Sequence, residues 1–228
     1  MRRGTRPRRA VGRTTAILAA AVTILALVPS YASAHPNLIG TSPKDGSQLS
    51  GGPSSIVIYF DEKVTMAVQG TRIVDGSGKV IPSSSKLSNK NKTLTITPTK
   101  RLGKGMFAAA YNVTSVEGHF VPGAIAFTVA TPTQRGSSIK AKPIPNIPTT
   151  LDGDRVGVRT VSFPTTKRKG QVTWRSPVMA EPLFWTFKGN GTTASATGVL
   201  PFAGTWTFEI DLSTKDSVMI PKGTVTLK

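Results

Sequence analysis

From residue 38 onward the chain reads as strand, turn, strand, and no stretch of it carries the period of a helix of any length. Ile56-Val57-Ile58-Tyr59-Phe60 is an apolar β-rich run entered through Gly51-Gly52-Pro53. Residues 71–74 and 79–81 flank Asp75-Gly76-Ser77-Gly78, a tight-turn signature that predicts a hairpin. Thr93-Leu94-Thr95-Ile96-Thr97 alternates strictly, and residues 106–113 and 124–129 supply two more strands joined by a loop over 115–123. Strands spaced by about 8–12 residues with turns of this kind predict an all-β fold and an antiparallel sandwich.

Residues 131–150 break that pattern. Three prolines within 142–148, preceded by Ser, Thr and Gln, read as a semi-extended linker. A second β-rich unit over 151–228 follows, with strands expected at 155–163, 171–174, 183–187, 192–200, 205–212 and 223–227. It contains Trp174, Trp185 and Trp206, all the tryptophans of the chain, which are expected in the core of a second small sandwich. Its acids, Asp152, Asp154, Glu181, Glu209, Asp211 and Asp216, read as surface or turn residues. The two halves do not repeat one another.

The first 34 of the 228 residues have the form of a secretory signal. Arg2, Arg3, Arg6, Arg8, Arg9 and Arg13 make a basic start, residues 15–28 an apolar run, and Ala32-Ser33-Ala34 a small-x-small cleavage site. The general secretory route fits better than the twin-arginine one. Cleavage after Ala34 leaves His35 first; a second site, Ser30-Tyr31-Ala32, would leave Ser33-Ala34 ahead of it. No later run approaches the ~18 apolar residues that span a bilayer. The expected product is exported to the periplasm or outer envelope and soluble there. Without cysteine, disulfides, thiolate metal sites and cysteine nucleophiles are excluded. The formal charge of +18 includes the six leader arginines, and the remaining basic residues are spread thinly. They predict a solvated basic surface able to adhere to an anionic envelope. No basic stripe interleaved with aromatics points to nucleic acid.

The chain has two histidines, His35 and His119. As a mature N-terminus, His35 offers an α-amine and an imidazole to one metal ion. Pro36 has no amide proton, so recruitment of the next backbone nitrogen is blocked. Glu117 and His119 are two apart in a segment read as extended, so both side chains can point to one side, with Gly118 permitting a bend. An amine, two imidazoles and a carboxylate suit tetragonal Cu(II), although zinc could also take such a set. Taken alone, Glu-Gly-His in a loop is ordinary polar turn chemistry.

Residues 35–130 resemble the CopC family of copper-resistance proteins. The matching features, in order, are His35, Ser42-Pro43-Lys44-Asp45-Gly46, Tyr59-Phe60-Asp61-Glu62-Lys63-Val64, Gly105-Met106-Phe107 and Ser115-Val116-Glu117-Gly118-His119-Phe120-Val121-Pro122-Gly123. The resemblance implies a seven-stranded Greek-key sandwich of Ig-like or cupredoxin-like form, with a Cu(II) site made by His35, His119 and an acidic residue. The family usually has Asp where this chain has Glu117, one methylene longer. Met66, Met106, Met179 and Met219 are scattered, so a single Cu(II) site without a paired Cu(I) site is expected. Leu200-Pro201-Phe202-Ala203-Gly204-Thr205-Trp206-Thr207-Phe208-Glu209-Ile210 is more weakly similar to small envelope domains of the YtkA-like type.

The expected function is therefore that of an exported copper carrier or buffer, not an enzyme, with a membrane copper transporter or a cuproprotein as partner. A copper-dependent oxidative enzyme of the lytic polysaccharide mono-oxygenase type is the alternative. It would need an exposed aromatic surface, whereas Tyr59, Phe60, Phe107, Tyr111, Phe120 and Phe127 mostly occupy positions expected to be buried. A purely structural sandwich pair used in adhesion would take up no stoichiometric copper.

Overall fold

A computed structural model describes residues 36–67, 69–131, 136–142 and 147–228. The expected leader and His35 lie outside the described residues. Among the described residues there is no helix, and all regular structure is β.

The first half contributes β1 (Leu38–Ser42), β2 (Gln48–Leu49), β3 (Ile56–Phe60), β4 (Val64–Met66) and β5 (Arg72–Asp75). It continues through β6 (Val80–Ile81), β7 (Ser83–Ser88), β8 (Thr93–Pro98), β9 (Gly105–Ser115) and β10 (Phe120–Val129). One sheet has the antiparallel order β1-β3-β8-β7. The facing sheet is built on the β9–β10 hairpin, with β4 and β5 pairing β9 and β2 running parallel to β10. Period-two burial makes the core between them: Ile56, Ile58 and Phe60 are buried, whereas Val57 and Tyr59 stay partly exposed. The Asp75–Gly78 turn forms as expected, with the Asp75 N–H donating to Lys79 O at 3.0 Å and the Gly78 N–H to Asp75 O at 2.8 Å.

The segment 131–150 is not open chain where it is described. It carries β11 (Ile139–Lys140) and β12 (Thr150–Leu151), which pair with each other, and Lys142 bridges to Thr224. Beyond it lie β13 (Gly157–Pro164), β14 (Lys169–Ser176), β15 (Met179–Gly189), β16 (Thr193–Leu200), β17 (Gly204–Ile210) and β18 (Lys222–Leu227). Trp174, Trp185 and Trp206 are all buried there. Trp174 stacks at a tilt against Trp185 and Phe208, with centroids 4.9 and 4.8 Å apart. The Trp206 indole N–H donates to Phe202 O at 2.9 Å.

Residues of the two halves share one compact unit and one sheet, joined where Ala124 of β10 pairs in parallel with Leu183 of β15. Strand β9 explains how. On alternate positions Phe107, Ala109, Tyr111 and Val113 enter the first core, while Ala108 and Ala110 turn to the second. Val74, Ala124 and Ala126 join that second face, against Leu183, Trp185 and their neighbours. Small side chains on that face let the apolar side chains of the second half pack against it. At the margin Arg72 grips Glu181 with two parallel bonds, of 2.8 and 2.9 Å. Glu181 is thus buried and ion-paired rather than a surface acid, and Asp154 is buried against Lys228 at 2.9 Å.

Candidate metal centre

The β9–β10 hairpin ends in a turn over residues 116–119, tighter than the 115–123 loop expected from sequence. Ser115 closes it: its N–H donates to His119 O at 2.9 Å, its carbonyl accepts the Gly118 N–H at 3.0 Å, and its Oγ accepts the His119 N–H at 3.1 Å. Gly118 has φ +87°, with open space where a side chain would stand. That is the left-handed residue a short hairpin loop requires. Further down, the Tyr111 ring lies over Gly123, where an added Cβ would sit 2.5 Å or less from Cζ and OH.

This turn brings Glu117 and His119 together, with Oε2 3.9 Å from Nδ1 and each side chain about half exposed. Their proximity comes from the turn and not from strand alternation, because Gly118 reverses the chain between them. Among the described residues no group of three His, Cys, Asp or Glu could hold a metal ion. His35, the third expected ligand, lies outside the described residues.

The start of the described chain is anchored at the same end of the sandwich. Pro36 is buried. Asn37 donates from its backbone N and its Nδ2 to the two carboxylate oxygens of Asp61, each at 2.7 Å, and accepts the Asp61 N–H at 3.1 Å. These bonds, the Asn37 side chain first, hold the Asp61 carboxyl below its ordinary range. Three residues on, Val64 of β4 pairs with Ser115 of β9, the residue that closes the 116–119 turn. Sequence reasoning passed over Asn37, Asp61 and Ser115 as organisers of this end. The signal available was that Asp61 lies in the same apolar-strand motif that precedes Val64.

Of the aromatic residues in this half, Phe60, Phe107, Tyr111 and Phe127 are buried, whereas Tyr59 is 39% and Phe120 70% exposed. Met66, opposite Val113, and Met106, near the start of β9, stand at opposite ends of that strand, and Met179 and Met219 lie in the second half.

Residues 38–130 match the family model for the CopC domain. Copper resistance protein C of Pseudomonas syringae pv. tomato is 27% identical over 110 residues, 45% of this chain and 86% of that protein. Copper resistance protein C of Xanthomonas campestris pv. juglandis is 29% identical over 123 residues, 51% and 93% of the two chains. Copper transport protein CutJ of Bacillus subtilis is 28% identical over 119 residues, and the matched region spans only 22% of its length. Among solved structures, CopC from Methylosinus trichosporium OB3b aligns with 27% identity and a TM-score of 0.39, covering 44% of this chain and 98% of that one. PcoC, a methionine-rich copper resistance protein from Escherichia coli, aligns with 24% identity and a TM-score of 0.38. Names of this kind give no support to the polysaccharide-oxidising alternative.

Proposed function

We propose, on the premise that residues 38–130 are a CopC domain, that this chain is an exported Cu(II) carrier or buffer in copper resistance or homeostasis. One cupric ion is its cargo. The donors are the α-amine and imidazole of His35, freed by cleavage after Ala34, the imidazole of His119 and the carboxylate of Glu117. Three nitrogens and an oxygen favour Cu(II) over softer or harder ions. The relatives named for copper resistance and copper transport support the coarser reading, that the chain handles copper.

The observation that carries the finer reading is the pairing of a short turn, holding Glu117 near His119, with the Asn37–Asp61 clamp at that end of the sandwich. Residue 35 is two positions before the clamp, about 7 Å of extended chain. Half-exposed ligands suit cargo: copper can pass to a partner by ligand exchange without unfolding the turn. That partner is a membrane copper transporter or a cuproprotein of the periplasm or outer envelope. No bond of a substrate is made or broken, so the role is not enzymatic. Within this reading residues 35–130 hold the metal, 131–150 connect, and 151–228 cover the outer face of the metal-binding sheet. Protons compete with the metal for its nitrogen donors, so copper affinity falls as pH is lowered.

Intact-mass analysis of the exported protein, followed by cupric titration at neutral pH, tests the proposal. His35 as first residue and one equivalent of tightly held Cu(II) are expected. A different first residue, or no one-to-one complex, overturns it.

A further inference from the structure

The arm between β17 and β18 is the most exposed apolar feature of the second half. It is a hairpin extension held by its own backbone: Ile210 N–H donates to Pro221 O at 3.0 Å, Leu212 N–H to Met219 O at 2.9 Å and Thr214 N–H to Ser217 O at 2.8 Å. Ser213 Oγ accepts the Met219 N–H at 3.2 Å. Its base is pinned by Lys167, whose Nζ donates to Asp211 O at 3.3 Å and to Ser213 O at 2.8 Å. The ladder holds three consecutive apolar residues out from the body, with Val218 83%, Met219 51% and Ile220 44% exposed. Single exposed apolar residues need no explanation, but three in a row on a built arm do.

Charge gathers around the same arm. The register of β14 against β17 sets Val172 opposite Ile210, and Asp211 N–H donates to Gln171 O at 2.9 Å, so residues 167–170 run alongside the arm's base. Lys167, Arg168 and Lys169 stand there, and Lys188 faces Lys169 directly across the β14–β15 ladder. Like charges in such a position repel and weaken the sheet. Lys215 lies on the arm itself. Asp211 and Asp216 offset part of this charge, and Lys222 is paired with Glu209 at 2.7 Å, leaving the patch positive.

We propose that this arm docks the protein on the surface of an anionic lipid bilayer. Val218, Met219 and Ile220 enter the interface, while Lys169, Lys188, Arg168 and Lys215 meet the headgroup phosphates. An apolar arm with cations flanking its base matches the layering of such a surface, with hydrocarbon below and anions above. A cationic patch alone would serve for an anionic polymer; the projecting apolar tip is what selects lipid. The repulsion between Lys169 and Lys188 is relieved when phosphate groups lie against them.

The test uses the full chain in chelator, so that copper plays no part. Sedimentation with vesicles of phosphatidylcholine containing about one-third phosphatidylglycerol is compared with pure phosphatidylcholine. Binding to the anionic vesicles at least about tenfold tighter than to neutral ones is expected, as is loss of most of it in the double variant Val218→Asp/Ile220→Asp. Melting temperatures of the two proteins should agree, since the tip is exposed. Equal binding by the double variant, with vesicles competed by soluble polyphosphate, would make the patch a polymer-adhesive surface and overturn the proposal. So would absence of vesicle binding, or a dimer that the double variant abolishes.

Discussion

Asp45 shows how one residue of the Ser-Pro-x-x-Gly motif reports on the whole assembly. It is half-buried beneath the second half, its Oδ1 accepts the Ala126 N–H at 2.8 Å, and Gly46 beside it approaches Gly198. Burial pushes its carboxyl from 3.8 up to about 6, against the smaller lowering effect of the Ala126 and Gly46 N–H groups. Burial, with the Asp45 charge adding to it, drives the neighbouring Tyr111 hydroxyl up to about 12. The folded state therefore binds a proton more readily than the unfolded chain between about pH 4 and 6. This group's contribution to stability is fully present below pH 4 and is lost as pH rises through 6. Asp45→Asn keeps the acceptor and removes the charge. Melting of the metal-free proteins should show the variant gaining on the parent at pH 7.5 and the gain shrinking toward pH 4; a gain independent of pH would contradict the assignment. The motif was visible in the sequence, but its burial was not, because what covers it arrives from residues about 150 positions later.

At the scale of elements, strands that bury a face were legible and strands that do not were missed. Ile56–Phe60 announces itself as an unbroken apolar β-rich run and Thr93–Pro98 through its alternating apolar residues. Ser83–Ser88 does not: Ser-Ser-Ser-Lys-Leu-Ser forms an edge strand by backbone pairing to β8 alone, with no residue fully buried. A strand over 106–113 is legible and extends to Gly105–Ser115 in the structure, but its run of Ala108, Ala109 and Ala110 gives no hint that two faces are covered. The Glu117 and His119 pair was legible as chemistry, whereas the turn that joins them was not, since Gly118 and the Ser115 bonds act together. Arg72 and Glu181, 109 positions apart, form the clearest link between elements that no local pattern could disclose. Glu181 is 7% exposed in its side chain, so removing its partner strands a buried carboxylate. Arg72→Ala is expected to cost about 3 kcal/mol in denaturant unfolding, and Arg72→Met/Glu181→Met to recover much of that loss. A single variant as stable as the parent would show the pair to be idle.

For the whole molecule, the shared sheet makes the second half part of the first half's structure. Val74, Ala108, Ala110, Ala124 and Ala126 reach the second core, and the described residues form one compact unit. A chain ending at residue 130 would expose that apolar face and leave Arg72 without Glu181. It should melt at least ~10 °C below the full chain and bind a hydrophobic dye, a loss of several kcal/mol for a unit this small. Equal melting temperatures would show the halves to be thermodynamically independent. The proposed copper site makes the sharper demand, because it requires one end group to meet a turn more than eighty residues away in sequence. Electron paramagnetic resonance of the protein with one equivalent of Cu(II) decides this, comparing the chain that begins at His35 with one that retains Ser33-Ala34. The account predicts a nitrogen-rich tetragonal signal that changes in the longer chain, with affinity lower by roughly 100-fold, about 2.7 kcal/mol, and melting unaltered. Identical spectra and equal affinity in the two chains would contradict it.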